Sequence, residues 1–244
     1  MDNLLWNKTL DENKISQCPT LGDEIFHLLR HRILSGYYKR GERLSEVQLS
    51  AELKTSRSPI REAFIQLENT GLVKTVKRKG VYVFDFSRND VREIAELRLL
   101  LEQYIVKVLI EEDKVTDSAI HDLQNIIDDM QDIYANKSLS EDENTYQSSQ
   151  LDFKFHLTMA QLANRPAFFE LISNIITRSR AIIGLLDIHP NTKMVIADHR
   201  LILETFQEGD VEKAQNIVKQ HLRWMWECDY SFSETVDKSK PLDE

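Results

Sequence analysis

The chain has 244 residues, a net charge of −9 and 41% hydrophobic residues, a composition typical of a folded globular protein. No apolar run reaches the roughly 18 residues that a transmembrane helix needs, and residues 1–10 lack the apolar core of a signal peptide. We therefore expect a protein that does not enter a membrane. The two cysteines, Cys18 and Cys228, are too few for a disulfide framework and predict free thiols in the reducing cytoplasm.

Glycine and charge divide the chain at the same place. Gly36, Gly41, Gly71 and Gly80 lie close together, whereas residues 87–244 contain only two glycines. Tight turns depend on glycine, so the long glycine-poor part is predicted to consist of helices. Residues 20–86 carry a net charge of +4 and residues 87–244 a net charge of −12. We predict an N-terminal arm at 1–19, a basic domain at 20–86 and an acidic all-helical domain at 87–244.

The basic domain begins with three predicted helices. Apolar residues at helical spacing indicate a first helix over Leu21–Ser35 and a second helix from the N-cap Ser45 to about Lys54. After a break over Thr55–Ser58, Pro59 suits the first position of a third helix. The second and third helices with their short connection have the pattern of a helix-turn-helix.

A basic hairpin follows the third helix. Strand-forming residues lie on both sides of a tip made of Lys77, Arg78, Lys79 and Gly80, which predicts a β-hairpin wing. At the start of the third helix, hydroxyl and guanidinium groups cluster and suit contacts with phosphates and base edges. This cluster consists of Ser56, Arg57, Ser58 and Arg61. The alternative is an ordinary three-helix unit whose basic hairpin is simply solvated.

Three motifs in this domain resemble the winged helix of GntR-type bacterial transcription regulators. They are GxxxxGERLSE from Gly36, SRSPIREA from Ser56 and LExxGLV from Leu67. The resemblance implies that Ser56, Arg57, Ser58 and Arg61 face DNA, with Lys79 and Gly80 at the wing tip. One position departs from the family, because Val47 stands where members often carry an arginine.

The acidic domain contains a series of periodic apolar stretches. They predict helices over 91–108, 118–135, 148–163, 167–186, 193–207 and 211–228, with a polar loop over Asn136–Thr145. Such helices pack most simply as an antiparallel bundle. We expect Trp224 and Trp226 to be packing residues of this bundle.

Four metal-ligating residues of the bundle are predicted to point inward. Asp152 and His156 are four residues apart and share one helix face, while His199 and His221 each lie in an apolar stripe. Buried polar groups need partners, so these side chains are either hydrogen-bonded core residues or ligands of one divalent metal. Imidazole and carboxylate suit Zn, Ni, Mn or Fe, of which we favour Zn or Ni.

These residues also resemble the FCD subgroup of GntR regulators. The motifs on which this resemblance rests are DxxFH from Asp152, HxxI from His199 and HL at His221. The resemblance implies an all-helical domain in which Asp152, His156, His199 and His221 bind a divalent metal. It also implies that Arg98 meets the carboxylate of an effector, whereas the alternative is a surface or interhelical salt bridge between Arg98 and Glu102.

Together these features predict a mainly α-helical protein with a winged helix-turn-helix domain and an FCD-type bundle. We predict a regulator, not an enzyme, that binds double-stranded operator DNA as a homodimer and senses a small carboxylate effector at the metal. One alternative is the same regulator with a purely structural metal. The other is a metal-dependent hydrolase, which is disfavoured because the chain lacks an HExxH motif.

Overall fold

The structure is a computed structural model that describes residues 19–186, 188 and 190–227. Residues 1–18 of the predicted arm, both cysteines and the side chain of Trp226 lie outside the described residues. Within these ranges every helix is too short or too polar to span a membrane.

Three helices and a small antiparallel sheet form the N-terminal part. The helices are α1 (Leu21–Leu34), α2 (Glu46–Glu52) and α3 (Arg57–Asn69). The strands are β1 (Arg43–Leu44), β2 (Val73–Val76) and β3 (Gly80–Val83), in the order β1-β3-β2. In the hairpin register, Thr75 lies opposite Val81. The predicted helix-turn-helix and wing are therefore present, and β1 is an additional strand that local sequence did not indicate.

Both ends of the helix-turn-helix connection differ from the prediction. α2 ends at Glu52, before Lys54, whose φ of 50° lies in the left-handed region. α3 begins at Arg57 because Ser56 already has the extended backbone of an N-cap. Pro59 is therefore the third helical residue, where its missing N–H is harmless because the first four amides of a helix have no partner within the helix.

Long helices form the rest of the described chain. They are α4 (Arg88–Glu111), α5 (Asp117–Ala135), α6 (Glu141–Leu162), α7 (Pro166–Leu185), α8 (Thr192–Glu208), α9 (Val211–His221) and the short α10 (Trp224–Glu227). The prediction of a loop over Asn136–Thr145 is wrong in its second half, because α6 begins at Glu141. Ser140 and Glu143 form a reciprocal capping box that starts the helix within this polar segment. The predicted last helix is divided into α9 and α10.

The hydrophobic core of the winged helix continues into the bundle. Residues of α1, α3 and the sheet share one buried cluster with Val91 and Ile94 of α4 and with Ile182 of α7. A second cluster fills the middle of the bundle between α4 and α9. At the junction, a Cβ added to Gly184 of α7 would lie 2.3 Å from the carbonyl oxygen of Leu34, so the backbones of α1 and α7 are in direct contact. This contact fixes the first helix of the winged helix against the bundle.

Candidate functional site

Three histidines and one aspartate converge at the centre of the bundle. Asp152 and His156 lie on α6, His199 on α8 and His221 on α9. The Oδ1 atom of Asp152 is 3.4 Å from Nε2 of His156 and 3.3 Å from Nε2 of both other histidines. One ligand atom from each residue lies within 4.8 Å of all the others. The structure thus brings together all four residues predicted from the sequence, in an arrangement that could hold a metal ion.

The imidazole rings crowd one another at this point. Nε2 of His156 is 2.9 Å from Nε2 of His221 and 3.4 Å from Nε2 of His199. All three histidines are buried, and the ring of His199 is stacked on Phe155 at 4.1 Å between centroids. Each neutral imidazole presents only one N–H, so three Nε2 atoms that meet cannot all be satisfied by one another. A cation at their centre would satisfy all of them together.

Two buried carboxylates lie on the Nδ1 side of the histidines, away from the point where the Nε2 atoms meet. Glu102 of α4 has its Oε2 atom 2.7 Å from Nδ1 of His156, although the angles there fall short of hydrogen-bond geometry. Asp198 of α8 has its Oδ2 atom 3.9 Å from Nδ1 of His221 and accepts a hydrogen bond from Gln220 at 2.7 Å. A carboxylate on the Nδ1 side favours the tautomer whose Nε2 lone pair faces the centre.

Burial and neighbouring charges shift the pKa values of the groups in this site. Burial alone would raise the pKa of Glu102, but Arg98 and His156 together lower it to about 2. Burial would likewise raise the pKa of Asp152, yet the three histidines hold it well below its usual range. Burial lowers the pKa of His199 to about 3, so this imidazole is neutral at physiological pH. Asp152 thus offers an ionised carboxylate and His199 a neutral imidazole, which are the forms that bind metals. Against the effect of burial, Glu102 and Asp152 raise the pKa of His156, so this histidine has to release a proton when a metal binds.

Arg98 lies beside the site and is completely buried. Its Nε atom donates a hydrogen bond of 2.5 Å to Glu102 within α4, and its Nη2 atom is 3.6 Å from Oδ2 of Asp152. The ion pair between Arg98 and Glu102 thus forms, but it is buried within one helix and is neither a surface nor an interhelical pair. The Nη2 atom has no hydrogen-bond partner among the described residues. It remains available for a further acceptor.

A narrow cleft leads from the surface to Asp152. It has a volume of about 20 Å³, which is room for roughly one water molecule. Its walls come from α6, α7, α8 and α10, and they include Ser149, Ile183, Val195 and Trp224. The side chain of Asp152 is 16% exposed, whereas those of the three histidines are 1% exposed or less. Asp152 is therefore the ligand that a molecule in the cleft meets first.

The residues predicted to face DNA lie together at the start of α3. Ser56, Arg57, Ser58 and Arg61 are all exposed there. Arg61 donates a hydrogen bond of 2.9 Å to Glu46 of α2, while 62% of its side chain remains exposed. These four side chains share the exposed face at the N-terminal end of the helix, where backbone amides favour an anion.

The wing presents a second basic surface. Lys79 is exposed at the tip, and Gly80 has a φ of 115°, a backbone conformation that other residues rarely adopt. A Cβ at position 80 would lie 3.2 Å from Nε of Arg43, so this arginine of β1 flanks the wing. Arg43 is a basic residue that sequence reasoning missed as part of this surface. Val47 on α2 is 56% exposed, as an apolar residue where family members often have arginine.

Sequence reasoning also missed the roles of Glu102 and Asp198 beside the histidines. One signal was available, because Asp198 directly precedes His199 in a helix that was predicted to face the core. Glu102 was considered only as a partner of Arg98. Its approach to His156 joins α4 to α6, and local sequence does not reveal a contact of this kind.

A winged helix joined to a helical bundle with a buried Asp/His cluster defines a two-domain transcription regulator. Residues 21–83 match the bacterial regulatory proteins of the gntR family, and residues 93–223 match the FCD domain. The chain belongs to the GntR family and carries an FCD domain. The expected fold class is thereby confirmed, and so is the expectation that this regulator is not an enzyme.

Individual relatives agree with this assignment. The chain is 25% identical to the HTH-type transcriptional repressor RspR of Escherichia coli over 87% of this chain and 90% of that protein. It is 30% identical to the gluconate operon transcriptional repressor of Bacillus licheniformis, over 73% of this chain and 70% of that protein. The solved structure of E. coli McbR/YncC shares the fold, with a TM-score of 0.67, 22% identity and coverage of 85% and 97%.

Proposed function

We propose that this protein is a metabolite-responsive regulator that binds operator DNA as a homodimer and senses a small organic acid at a bound divalent metal. The observation that carries the proposal is the convergence of three imidazole nitrogens and one carboxylate oxygen in the bundle. Binding to operator DNA assigns the protein to the bacterial cytoplasm. Two relatives named as repressors favour repression over activation.

The proposed DNA contacts come from α3 and the wing. Arg57 and Arg61 suit bidentate contacts with guanine, and the hydroxyls of Ser56 and Ser58 suit phosphates. Lys79 and Gly80 then approach a neighbouring phosphate. Because Arg61 is paired with Glu46, DNA has to compete for part of its guanidinium. A mobility-shift assay with DNA from upstream of its own gene tests this proposal.

We expect Arg57→Ala and Arg61→Ala to abolish the shift of this DNA at concentrations where the wild type binds. Lys137→Ala is the matched control, because Lys137 is an exposed basic residue of the bundle, distant in sequence from the winged helix. Sequence-selective binding that survives both arginine substitutions would refute the proposed contacts.

The homodimer is supported by an apolar face on the bundle. Leu97, Leu100 and Tyr104 recur at helical spacing on α4 and are 47%, 65% and 38% exposed. Tyr104 is stacked on Phe168 of α7 at 4.5 Å, and Leu171 of α7 is 56% exposed. Exposed apolar surfaces of this kind mark interfaces, and a dimer would present two winged helices to two half-sites.

Sedimentation at micromolar concentration tests the dimer. We expect a dimer for the wild type and a monomer for Leu100→Glu, because a charge in an apolar interface is desolvated without a partner. Val47→Glu, at an apolar residue of similar exposure on α2, should leave the dimer intact. A wild-type monomer would refute this part of the proposal.

Asp152, His156, His199 and His221 would hold the metal. Three imidazoles and one carboxylate leave open positions on a six-coordinate ion, and zinc or nickel is favoured by the nitrogen-rich donor set. The carboxylate or hydroxyl oxygens of an organic acid would fill these positions. Nη2 of Arg98, which has no hydrogen-bond partner among the described residues and lies 3.6 Å from Asp152, supports a contact with the same carboxylate.

A second candidate function is a purely structural metal, and the size of the cleft favours it. A volume of about 20 Å³ admits no organic acid unless the walls move. Acid binding therefore requires a change in the packing of α8 or α10 against α6. Such a change would be the means by which the ligand shifts the equilibrium between two conformations.

Thermal-shift measurements on metal-free and zinc-loaded protein separate the two candidates. For the sensor, we expect small carboxylic acids to raise Tm further only when zinc is bound. For the structural metal, zinc raises Tm and no acid adds to it. If zinc does not change Tm and His199→Ala behaves as the wild type, both candidates are refuted.

A further inference from the structure

Two arginines meet at the junction between the winged helix and the bundle. Arg180 of α7 is 5% exposed, and Arg30 of α1 is half-buried. The guanidinium carbon of each lies 5.7 Å from the centre of the same ring, that of Phe153 on α6. Among the residues that the structure describes, no carboxylate oxygen lies within 4.0 Å of either guanidinium. Two cations thus flank one aromatic ring without an acidic partner.

Arg180 is also unsatisfied in its hydrogen bonds. Its Nε and Nη2 atoms are buried and have no partner in the described structure. Its guanidinium carbon lies 5.3 Å from the ring centre of Tyr146, so the neighbouring groups are mainly π faces. Burial is the main cause that lowers the pKa of Arg180 to about 10; Tyr146 opposes this shift and the charge of Arg30 adds to it. Buried arginines are normally paired, so two donors that find no partner among the described residues favour an anion at this place.

Arg180 and the aromatic rings that flank it lie one helical turn from wall residues of the cleft that leads to Asp152. Arg180 precedes Ile183, a wall residue of the cleft, by one turn of α7. On α6, Tyr146 and Phe153 lie on either side of the wall residue Ser149 along one helix face. The charge of Asp152 also raises the pKa of Arg180, against the effect of burial. A ligand that entered the cleft would therefore lie one helical turn from Arg180 along α7.

We infer that Arg180 and Arg30 form a second anion site, which receives the distal carboxylate of an effector whose other end binds at the histidine cluster. This inference rests on the proposed function and narrows its effector to a dicarboxylic hydroxy acid. One end of the acid carries the hydroxyl and carboxylate that suit a metal, and the other carries a carboxylate for the guanidinium groups.

The same site would join the two domains. Arg30 belongs to α1 of the winged helix, whereas Arg180 belongs to the bundle. The next residue of α1, His31, has its Nδ1 atom 2.5 Å from the hydroxyl of Tyr146 on α6. A carboxylate held between Arg30 and Arg180 would thus bind both sides of this contact at once. Occupancy of the site would favour one placement of α1 relative to the bundle.

Calorimetric titration of the zinc-loaded, full-length protein with matched pairs of acids tests the inference. The first pair is malate and 2-hydroxybutyrate, and the second is 2-hydroxyglutarate and 2-hydroxyvalerate. The members of each pair have the same 2-hydroxy acid end and the same number of carbons, and they differ in the distal carboxylate. For at least one pair we expect the dicarboxylate to bind about tenfold or more tightly, as charge-assisted hydrogen bonds imply.

Substitutions then assign the preference to the arginines. Arg180→Gln should reduce the preference for the dicarboxylate, so that the two acids of a pair bind with nearly equal affinity. Arg30→Gln, at a less buried position, should do the same, while Arg180→Lys should retain part of the preference. Arg178→Gln is the matched control, because Arg178 is on the same helix but packs over Phe84 and Phe86. It should retain the full preference.

The outcomes distinguish a failure of the arginine site from a failure of the proposed acid sensing. If both members of each pair bind equally to the wild type, the arginine site is overturned and sensing of an acid at the metal stands. If Arg178→Gln reduces the preference as much as Arg180→Gln, the inference is also overturned. If none of the four acids binds the zinc-loaded protein, both the inference and the proposed acid sensing are overturned.

Discussion

Replacement of Glu102 by glutamine tests the role of the buried carboxylate behind His156. The substitution keeps the size and shape of the side chain and removes its charge. In the wild type, Glu102 is 2.5 Å from Nε of Arg98 and 2.7 Å from Nδ1 of His156, and its side chain is 1% exposed. The variant therefore changes two contacts at once, one of which concerns stability and the other the proposed metal site.

The expected loss of stability comes from Arg98. Its guanidinium is fully buried, and in the variant its nearest carboxylate would be Asp152, with Nη2 and Oδ2 at 3.6 Å. Removal of one partner of a buried ion pair costs about 3–5 kcal/mol of unfolding free energy. The remaining interaction with Asp152 places the expected cost at the lower end, about 3 kcal/mol. Metal affinity should fall by about 10- to 100-fold, because the variant removes the negative charge that lies 2.7 Å from Nδ1 of His156.

Urea denaturation of the metal-free protein and zinc titration measure the two effects. Glu96→Gln is the matched control, since Arg92 and Glu96 form the same i,i+4 pair on α4, 3.0 Å apart but with side chains 72% and 53% exposed. This control should lose less than about 1 kcal/mol of unfolding free energy and should bind zinc with the affinity of the wild type. The double substitution Arg98→Met with Glu102→Gln should regain stability without regaining zinc affinity.

An unfolding free energy that falls no more in Glu102→Gln than in Glu96→Gln would refute the stabilising role of the buried ion pair. Zinc that binds the Glu102→Gln variant as tightly as the wild type would refute a role of Glu102 at the metal site. A double variant that regains both properties would show that Arg98 alone, and not the contact with His156, is responsible for the loss of zinc affinity.

Three further predictions concern the junction, the cluster and the wing. Gly184→Ala should cost about 1–3 kcal/mol in urea denaturation, because its Cβ would meet a backbone oxygen 2.3 Å away. Gly209→Ala is the control, because Gly209 has a φ of 71° but open space where a Cβ would lie, and it should cost only about 1 kcal/mol of unfolding free energy. A larger loss at Gly209 than at Gly184 would show that the close contact with Leu34 is not the cause. Zinc at a hundred times its Kd should stabilise the wild type by about 2.7 kcal/mol. His199→Ala should abolish this stabilisation by zinc, whereas His121→Ala, at an exposed position, should retain it. Equal stabilisation of the two variants would disprove the proposed metal site. Lys79→Ala should reduce the salt dependence of DNA binding by about one counterion, measured by titration at several salt concentrations. An unchanged slope would remove the wing from the phosphate contacts.

The sequence by itself determined most of the local structure. Apolar periodicity located the long helices, most of them to within a few residues of their ends, because one face of each helix must be buried to stabilise it. It also assigned His199 and His221 to inward faces, and both are buried. The start of α6 at Glu141 was missed because its polar first turn has no apolar stripe, although Ser140 and Glu143 carry the capping box.

Only the tertiary structure decided which inward faces meet. The ligand atoms of α6, α8 and α9 lie within 4.8 Å of one another because of the way in which these helices cross. The spacing of residues along one helix does not specify how that helix crosses another. The same holds for Glu102 of α4 beside His156, and for Arg30 and Arg180, which are 150 positions apart yet flank one ring. Local periodicity fixes the direction of a side chain within its helix, whereas its partner is fixed by long-range packing of the whole chain.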